Sequence, residues 1–151
     1  MAIRNIIQLG DPTLRKKSFA VESVTPKIIQ LLDDMKDTLA KAQGAGLAAV
    51  QVGILRRVFI VDVEEGYFEF INPEIISTKG EQYGPEGCLS VKGKWGDVKR
   101  PEHVVIRATD RNGKQFKIKA DGFFARAICH EYDHLDGIVY VDKADNLRSE
   151  I

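Results

Sequence analysis

The sequence of 151 residues predicts an α+β fold, with mostly antiparallel sheets packed around a C-terminal helix and a further helix near the N-terminus. Three observations lead to this prediction. Apolar residues recur at helical spacing after Thr25-Pro26, strand-like runs surround Asn112-Gly113, and a last helical segment starts at Asp121-Gly122. We expect a single domain over residues 1–151, because the chain is long enough to bury a core and shows no repeat or linker.

The first helix has a recognisable beginning. Thr25 is a suitable N-cap, and Pro26 is suited to the first helical position. Gly44 is expected to end the helix. The apolar positions that predict its buried face are Ile28, Ile29, Leu32, Met35 and Leu39.

Strands are predicted in the middle of the chain. Residues 57–63 and 67–71 are rich in β-branched and aromatic residues, and Glu65-Gly66 forms the turn between them. Residues 104–110 and 115–120 flank Asn112-Gly113, a dipeptide typical of a tight hairpin. Asp121 is then expected to cap the last helix, which Gly137 ends.

Composition narrows the class of protein. Lysine plus arginine and aspartate plus glutamate both number 22, so the net charge is zero and specific nucleic-acid binding is not expected. No apolar run approaches the length of a membrane span, and the first residues lack the apolar core of a signal peptide. The two cysteines cannot form a disulfide framework, which fits a reducing cytoplasm.

The segment His130-Glu-Tyr-Asp-His134 is the strongest functional signal. On a helix, two histidines four residues apart share one face, so both imidazoles can reach the same metal ion. Glu131 then lies beside that ion and can move protons to and from a water molecule. The alternative is an amphipathic helix whose polar face carries the motif by chance.

A catalytic metal site usually takes three protein ligands, so a third must be found. Many peptidases with this motif use a residue further along the chain, and one group uses a histidine six residues after the second. Here that position is Tyr140. The acidic candidates lie in a short tail, which weakens the interpretation as a zinc peptidase; they are Asp142, Asp145 and Glu150.

Cysteine is the alternative third ligand. Cys88 lies in the glycine-containing segment 85–90, and its thiolate would complete a site with two histidines. Cys129 is adjacent to His130, so on a helix it points about 100° away, and we interpret it as a buried small residue. His103 is a weaker candidate, because we expect it to face solvent at the start of a strand.

Three segments together resemble the peptide deformylase family. They are Gly44 to Gln51 (GAGLAAVQ), Glu86 to Ser90 (EGCLS) and His130 to His134 (HEYDH). The segments occur in the family's order and at about its spacing, and Gly10-Asp11-Pro12 is similar to the family's opening. The resemblance covers nearly the whole chain.

The resemblance implies a metal-dependent hydrolase that removes the N-formyl group from the first methionine of newly made polypeptides and releases formate. It implies that Cys88, His130 and His134 bind the metal. The family characteristically uses Fe²⁺, and Zn²⁺, Ni²⁺ or Co²⁺ can substitute. The donor set itself does not choose among these metals.

The resemblance also assigns roles around the metal. Glu131 is implied as the general acid/base, while the side-chain amide of Gln51 and the backbone N–H of Leu89 act on the substrate oxygen. Ala45 and Gly46 are expected to contact an extended peptide through their backbone. A pocket for the methionine side chain is expected from Ala45, Phe123 and Ala127.

Two residues depart from the family's pattern. Lys92 stands where the family often has proline, which questions the backbone path after Val91. Cys129 stands where glutamine is common, and a second thiol near the metal is a possible target of oxidation. A family member without catalytic activity should have lost Glu131 or one of the metal ligands, and this chain has lost none of them.

Only 14 residues follow Gly137, so any transient ribosome contact is expected to use a surface other than a long terminal helix.

Overall fold

The computed structural model describes residues 2–149. Within these residues, two α-helices and eight strands form the framework. The helices are α1 (Pro26–Ala42) and α2 (Gly122–His134). The strands are β1 (Gly46–Ala48), β2 (Val58–Val63), β3 (Gly66–Lys79), β4 (Gln82–Cys88), β5 (Val91–Arg100), β6 (His103–Thr109), β7 (Gln115–Asp121) and β8 (Asp145–Ser149). Short 3-10 turns cover Pro12–Arg15, Ala49–Val52 and Tyr140–Asp142.

The strands form two antiparallel sheets. The larger has the order β1-β2-β3-β6-β7, and the smaller has the order β4-β5-β8. The predicted α+β fold is confirmed, including the two helices and the antiparallel pairing. Within residues 2–149, neither helix is long and apolar enough to cross a membrane.

Strand β2 lies between the two helices. Phe59 and Val61 face a cluster that contains Ile128 of α2, whereas Val58 and Ile60 belong to a cluster with residues of α1. Because both faces of this strand are covered over residues 58–61, these four residues are all apolar instead of alternating with polar ones. Helix α2 is thereby fixed against the larger sheet, with its polar residues turned toward the smaller one.

Helix α1 begins as predicted but ends at Ala42, two residues before the expected glycine. Thr25 caps the N-terminus with its side-chain oxygen, and Pro26 is the first residue. Gln43, not Gly44, adopts the left-handed conformation after the helix, with φ of 57°. A Cβ at Gly44 would lie 2.9 Å from Cδ1 of Leu89 and 3.0 Å from Cδ1 of Leu39, so the glycine lets these two leucines pack closely against the backbone.

The predicted cap of α2 is partly wrong. Asp121 occupies the N-cap position, but its side chain makes no capping hydrogen bond. Instead it lies opposite His103 in the β6–β7 pair and contacts the Nδ1 atom of that ring at 2.6 Å. The N–H of Gly122 donates to the carboxylate of Glu102 at 2.7 Å. Helix α2 ends at His134, and Gly137 follows with φ of 76°.

Strand β3 is longer than the predicted 67–71, because it pairs with β2 in its first part and with β6 in its second. Between the two, Asn72 adopts φ of 49° and interrupts the register. Its side chain accepts from the N–H of Val21 at 2.8 Å and donates to the carbonyl of Val21 at 2.7 Å. These bonds stabilise a bulge inside a continuous strand.

Candidate active site

Cys88, His130 and His134 converge from two elements. Cys88 ends β4, while His130 and His134 lie one turn apart on α2. One potential ligand atom from each residue lies within 4.8 Å of the others, and Cys88 Sγ is 3.5 Å from His134 Nε2. A tetrahedral site with sulfur and nitrogen ligands separates its donors by about 3.3–3.6 Å. The three side chains therefore fit a borderline divalent metal.

The Nδ1 atom of His130 is fixed by a buried carboxylate. It lies 2.8 Å from Oε1 of Glu86, whose side chain is almost fully buried. Burial opposes the charge of Glu86, but hydrogen bonds from Arg100 and His130 lower the pKa of Glu86 far below its ordinary value. An ionised carboxylate only accepts hydrogen bonds, so Nδ1 of His130 carries a proton and Nε2 is free to bind a metal.

Two arginines complete this buried network. Arg100 donates from Nε to Oε2 of Glu86 at 2.8 Å and from Nη1 to Asp133 at 2.7 Å. Arg126 donates from Nη1 to Oε2 of Glu86 at 2.6 Å. The network links β4, β5 and α2, so the strand that carries Cys88 is held against the helix that carries His130.

His134 is completely buried and neutral. Burial and the neighbouring His130 lower the pKa of His134 well below its ordinary value. Among the described residues, Nδ1 of this ring has no hydrogen-bond partner, while Nε2 faces the Cys88 thiol. A neutral imidazole is the form that binds metals.

Glu131 lies at the bottom of the site, 4% exposed. Its Oε2 atom is 4.0 Å from Nε2 of His130, and Oε1 has no hydrogen-bond partner among residues 2–149. Burial raises the pKa of this carboxyl to about 7. Gly46 makes room for it, because a Cβ there would approach Oε2 to 2.6 Å. Such a carboxyl can accept and return a proton near neutral pH.

Gln51 presents its amide nitrogen to the same site. The N–H of Ala48 donates to Oε1 of Gln51 at 2.9 Å, which fixes the orientation of the amide. Nε2 donates to Oγ of Ser90 at 3.0 Å and lies 3.6 Å from Sγ of Cys88. Leu89 occupies the turn between β4 and β5, directly after Cys88.

A cavity of about 970 Å³ opens onto these groups. Among its lining residues are the predicted substrate contacts Ala45, Gly46, Phe123 and Ala127. Phe123 stands at the mouth with 61% of its surface exposed, whereas Ala127 lies deeper and is buried. The volume is sufficient for several residues of an extended peptide.

The other candidate ligands lie elsewhere. His103 is exposed at the start of β6, as expected, and Cys129 is buried in the core. Asp142 binds Arg15 through both carboxylate oxygens. Asp145 is exposed on β8, and Glu150 lies outside the described residues. Tyr140 stacks on His130 with ring centroids 6.0 Å apart.

Comparison with known proteins agrees with this geometry. The sequence model of the polypeptide deformylase family matches residues 3–150. The chain belongs to the polypeptide deformylase family. A peptide deformylase of Caldicellulosiruptor bescii is 52% identical over 150 residues, which cover 99% of this chain and 90% of the relative. One of Lachnoclostridium phytofermentans is 54% identical over 154 residues, covering 100% and 94% of the two chains.

Solved structures of deformylases share the fold. The peptide deformylase of Ehrlichia chaffeensis in complex with actinonin matches with a TM-score of 0.94 and 37% identity, covering 97% of this chain and 91% of the other. The deformylase of Thermotoga maritima matches with a TM-score of 0.92 and 32% identity, covering 95% and 98%. The predicted family and enzyme class are therefore confirmed: this is a metal-dependent hydrolase that removes the N-formyl group from nascent polypeptides.

The two departures from the deformylase pattern leave the site intact. Val91 begins β5 and pairs with Cys88 across the turn, after a register shift between Glu86 and Cys88, so the β4–β5 pairing is formed before Lys92. Cys129 is 6% exposed, and burial raises the pKa of its thiol to about 11. A protonated, inaccessible thiol reacts slowly with oxidants.

Sequence reasoning missed the buried network around His130. Glu86 stands inside the EGCLS segment, two residues before Cys88, but its role depends on Arg100 and Arg126 from other elements. A carboxylate beside a predicted metal ligand was the available signal, since metal-binding histidines commonly donate their second N–H to such a group.

Proposed function

We propose that Cys88, His130 and His134 bind Fe²⁺ in the cell, with Zn²⁺, Ni²⁺ or Co²⁺ as possible substitutes. When bound, this metal supplies a Lewis acid that polarises the formyl group and makes a water molecule more acidic. The convergence of one thiol and two imidazoles on a single point at the bottom of a peptide-sized cavity supports this proposal.

Glu131 acts as the general acid/base. It takes a proton from the attacking water and delivers it to the amine that leaves when the C–N bond of the formamide breaks. Its raised pKa, about 7, and its unpartnered Oε1 support this role. Formate and a free amino terminus are the products.

Gln51 and Leu89 stabilise the negative charge that develops on the formyl oxygen. The amide of Gln51 is already oriented by Ala48, so little reorganisation is needed when the charge appears. Loss of one such donor in other enzymes costs about 2.7–4 kcal/mol of transition-state stabilisation.

The substrate peptide binds along β1. This short strand is at the edge of the larger sheet, so one side of its backbone is available to pair with an extended chain. Ala45 and Gly46 provide this contact, and the methionine side chain fills the pocket formed with Phe123 and Ala127.

We further propose that residues 1–151 form a single catalytic domain that works in the cytoplasm, where formylated nascent chains emerge. The family match over residues 3–150 supports one domain. Contact with the ribosome is transient, and specific nucleic-acid recognition and membrane attachment are not part of the function.

The decisive experiment measures formate release from formyl-Met-Ala-Ser by anaerobically purified protein, with metal analysis on the same sample. We expect stoichiometric iron and rapid formate release. Cleavage of unformylated Met-Ala-Ser would instead indicate a peptidase, and formate release without any bound metal would contradict the assigned chemistry.

A further inference from the structure

Three lysines surround the mouth of the active-site cavity. Lys41 lies in the last turn of α1, and Lys92 and Lys94 lie on β5 just after the turn that follows Cys88. The segment just after α1 approaches the turn between β4 and β5, because a Cβ at Gly44 would lie 2.9 Å from Cδ1 of Leu89. All three lysines are exposed and line the same cavity.

None of these lysines forms an ion pair with another residue in the range 2–149. The other cations that line the cavity are already paired. Arg4 binds Asp34 at 2.8 Å, and Arg126 binds Glu86 at 2.6 Å. Within the part of the chain that the structure describes, Lys41, Lys92 and Lys94 are therefore the lysines and arginines of the cavity lining that have no ion pair.

The carboxylates of the cavity do not offset this charge. Among its lining residues only Glu86 and Glu131 are acidic, and they are 5% and 4% exposed. Glu86 is bound by Arg100 and Arg126. A peptide that leaves the site toward solvent thus passes lysine side chains without meeting an exposed carboxylate of this lining.

Apolar groups accompany the lysines. Trp95 is 39% exposed and Ile3 is 51% exposed, and both line the cavity. The ring of Trp95 lies across the strand just before Cys88, since a Cβ at Gly87 would be 3.2 Å from it. The mouth can therefore hold the aliphatic stems of acidic side chains as well as their charge.

We propose that Lys41, Lys92 and Lys94 select formylated peptides that carry aspartate or glutamate shortly after the methionine. This inference rests on the proposed function of the site and adds a substrate class to it. The lysine ammonium groups attract the carboxylates of the nascent chain, while the methionine and the formyl group bind deeper in the cavity. Selection acts through charge, so it weakens as salt is added.

The expected size of the effect follows from exposed ion pairs. Each such pair contributes a factor of about 1.4–5 in an equilibrium constant at moderate salt. With two acidic residues in the peptide, we expect kcat/KM to rise about 2- to 25-fold over a neutral peptide at low ionic strength. Near 1 M salt the Debye length falls to about 3 Å, and the ratio should approach one.

The test compares three peptides with amidated C-termini: formyl-Met-Glu-Glu, formyl-Met-Gln-Gln and formyl-Met-Lys-Lys. Amidation removes the terminal carboxylate, and glutamine matches glutamate in size. Formate release by the metal-loaded enzyme is measured at low and high salt. The expected order of kcat/KM is Glu-Glu above Gln-Gln above Lys-Lys, and a ratio near one at low salt would overturn the proposal.

Variants assign the effect to the lysines. Lys92→Gln, Lys41→Gln and Lys94→Gln should each reduce the Glu-Glu to Gln-Gln ratio about 1.4- to 5-fold. Lys92→Glu should shift the preference toward Lys-Lys. Lys114→Gln, in the exposed turn between β6 and β7, is the matched control and should leave the ratio unchanged. An undiminished ratio in all three glutamine variants would contradict the assignment.

A binding measurement separates this proposal from the proposed function. Trp95 is the only tryptophan of the chain and lines the cavity, so its fluorescence reports occupancy. The deformylated products Met-Glu-Glu-amide and Met-Gln-Gln-amide are titrated, and tighter binding of the first is expected. If no peptide releases formate, the proposed function fails while this titration still decides the charge preference.

Ribosomal RNA is another anionic partner that lysines could contact. If acidic and neutral peptides bind and react equally, and the glutamine variants instead lose salt-dependent binding to ribosomes, the lysines serve RNA contact and the proposal is wrong. The peptide assays contain no RNA, so a role in peptide selection changes peptide turnover, whereas a role in RNA contact changes only ribosome binding.

Discussion

The Oε1 atom of Glu86 lies 2.8 Å from Nδ1 of His130, and the same carboxylate binds two buried arginines. The imidazole is thereby held with Nε2 directed at Cys88 and His134. The carboxylate also compensates the charges of Arg100 and Arg126, so it contributes both to metal binding and to folding.

Glu86→Gln should weaken metal binding about 10- to 100-fold, because a neutral amide orients and polarises His130 less than a carboxylate does. Competition with a chelator of known affinity measures this loss, and circular dichroism verifies the fold. Glu81→Gln is the control, since Glu81 is exposed and its ion pair, with Lys99 at 4.0 Å, is long and open to solvent. Unchanged metal affinity in Glu86→Gln would show that the hydrogen bond is not needed to position the ring.

Glu131→Gln should retain the metal and lower kcat about 10²- to 10⁴-fold, the range attributed to general acid/base catalysis. The side chain keeps its volume beside Gly46, so the cavity keeps its shape. Metal content and formate release are measured on the same preparation. Full turnover with bound metal would exclude the assigned proton transfer.

The two cysteines should differ in reactivity. After metal removal, Cys88 should react with a chromogenic thiol reagent, because it is half-buried and opens to the cavity. Cys129 should react only on unfolding, since burial raises the pKa of its thiol to about 11. Counting thiols in native and urea-unfolded protein tests this, with Cys88→Ser as the control. Two reactive thiols in the native protein would contradict the burial of Cys129.

Stability should fall in acid partly through Asp34. Burial opposes its charge, but Arg4, Gln30 and the N–H of Ala2 lower the pKa of Asp34 below its ordinary 3.8. A lowered folded pKa stabilises the protein above the unfolded pKa, and this contribution is lost as pH falls through the folded value.

Asp34→Asn should therefore be less stable than the native chain at pH 7, and the difference should shrink below about pH 4. Urea unfolding at pH 7, 5 and 3.5 measures it. Asp37→Asn, on the same helix and without an ion pair among residues 2–149, is the control. A difference that grows in acid would give the wrong sign and refute the assignment.

The sequence predicted the elements whose signals are local. Helix α1 has its cap and its apolar spacing within one segment, and Asn112-Gly113 forms the turn of the β6–β7 hairpin. Strands β4 and β5 were not predicted, because glycine, proline and lysine interrupt any alternation. Their form depends on neighbours: Gly87 accommodates Trp95, and a Cβ at Gly96 would contact Ala144 at 2.7 Å.

The candidate site likewise has a part that local sequence signals predict and a part that only the folded structure reveals. The motif around His130 and Glu131 is visible in one helical turn, and the family resemblance supplied Cys88 and Gln51. The network of Glu86 with Arg100 and Arg126 joins residues 14 and 40 positions apart, and nothing in one sequence pairs them. Likewise, Lys41 and Lys92 line one cavity only because the segment after α1 folds close to Leu89 in the β4–β5 turn.

Gly46→Ala should abolish most activity while the fold is retained. The added methyl group would lie 2.6 Å from Oε2 and 2.9 Å from Cγ of Glu131, so the carboxylate must move away from its place beside His130. Displacement of a catalytic group by about 1 Å can cost about 100-fold in rate. We therefore expect kcat to fall by about that factor, with metal content and thermal unfolding close to those of the native chain.

The matched control is Gly84→Ala on β4. A Cβ there meets only Nη2 of Arg126 at 3.7 Å, an ordinary contact, so activity should be nearly unchanged. Together the two variants separate a specific clash at Glu131 from a general intolerance of alanine in these strands. If Gly46→Ala stays fully active, Glu131 can work from a different position, and the close approach of β1 to this carboxylate has no catalytic importance.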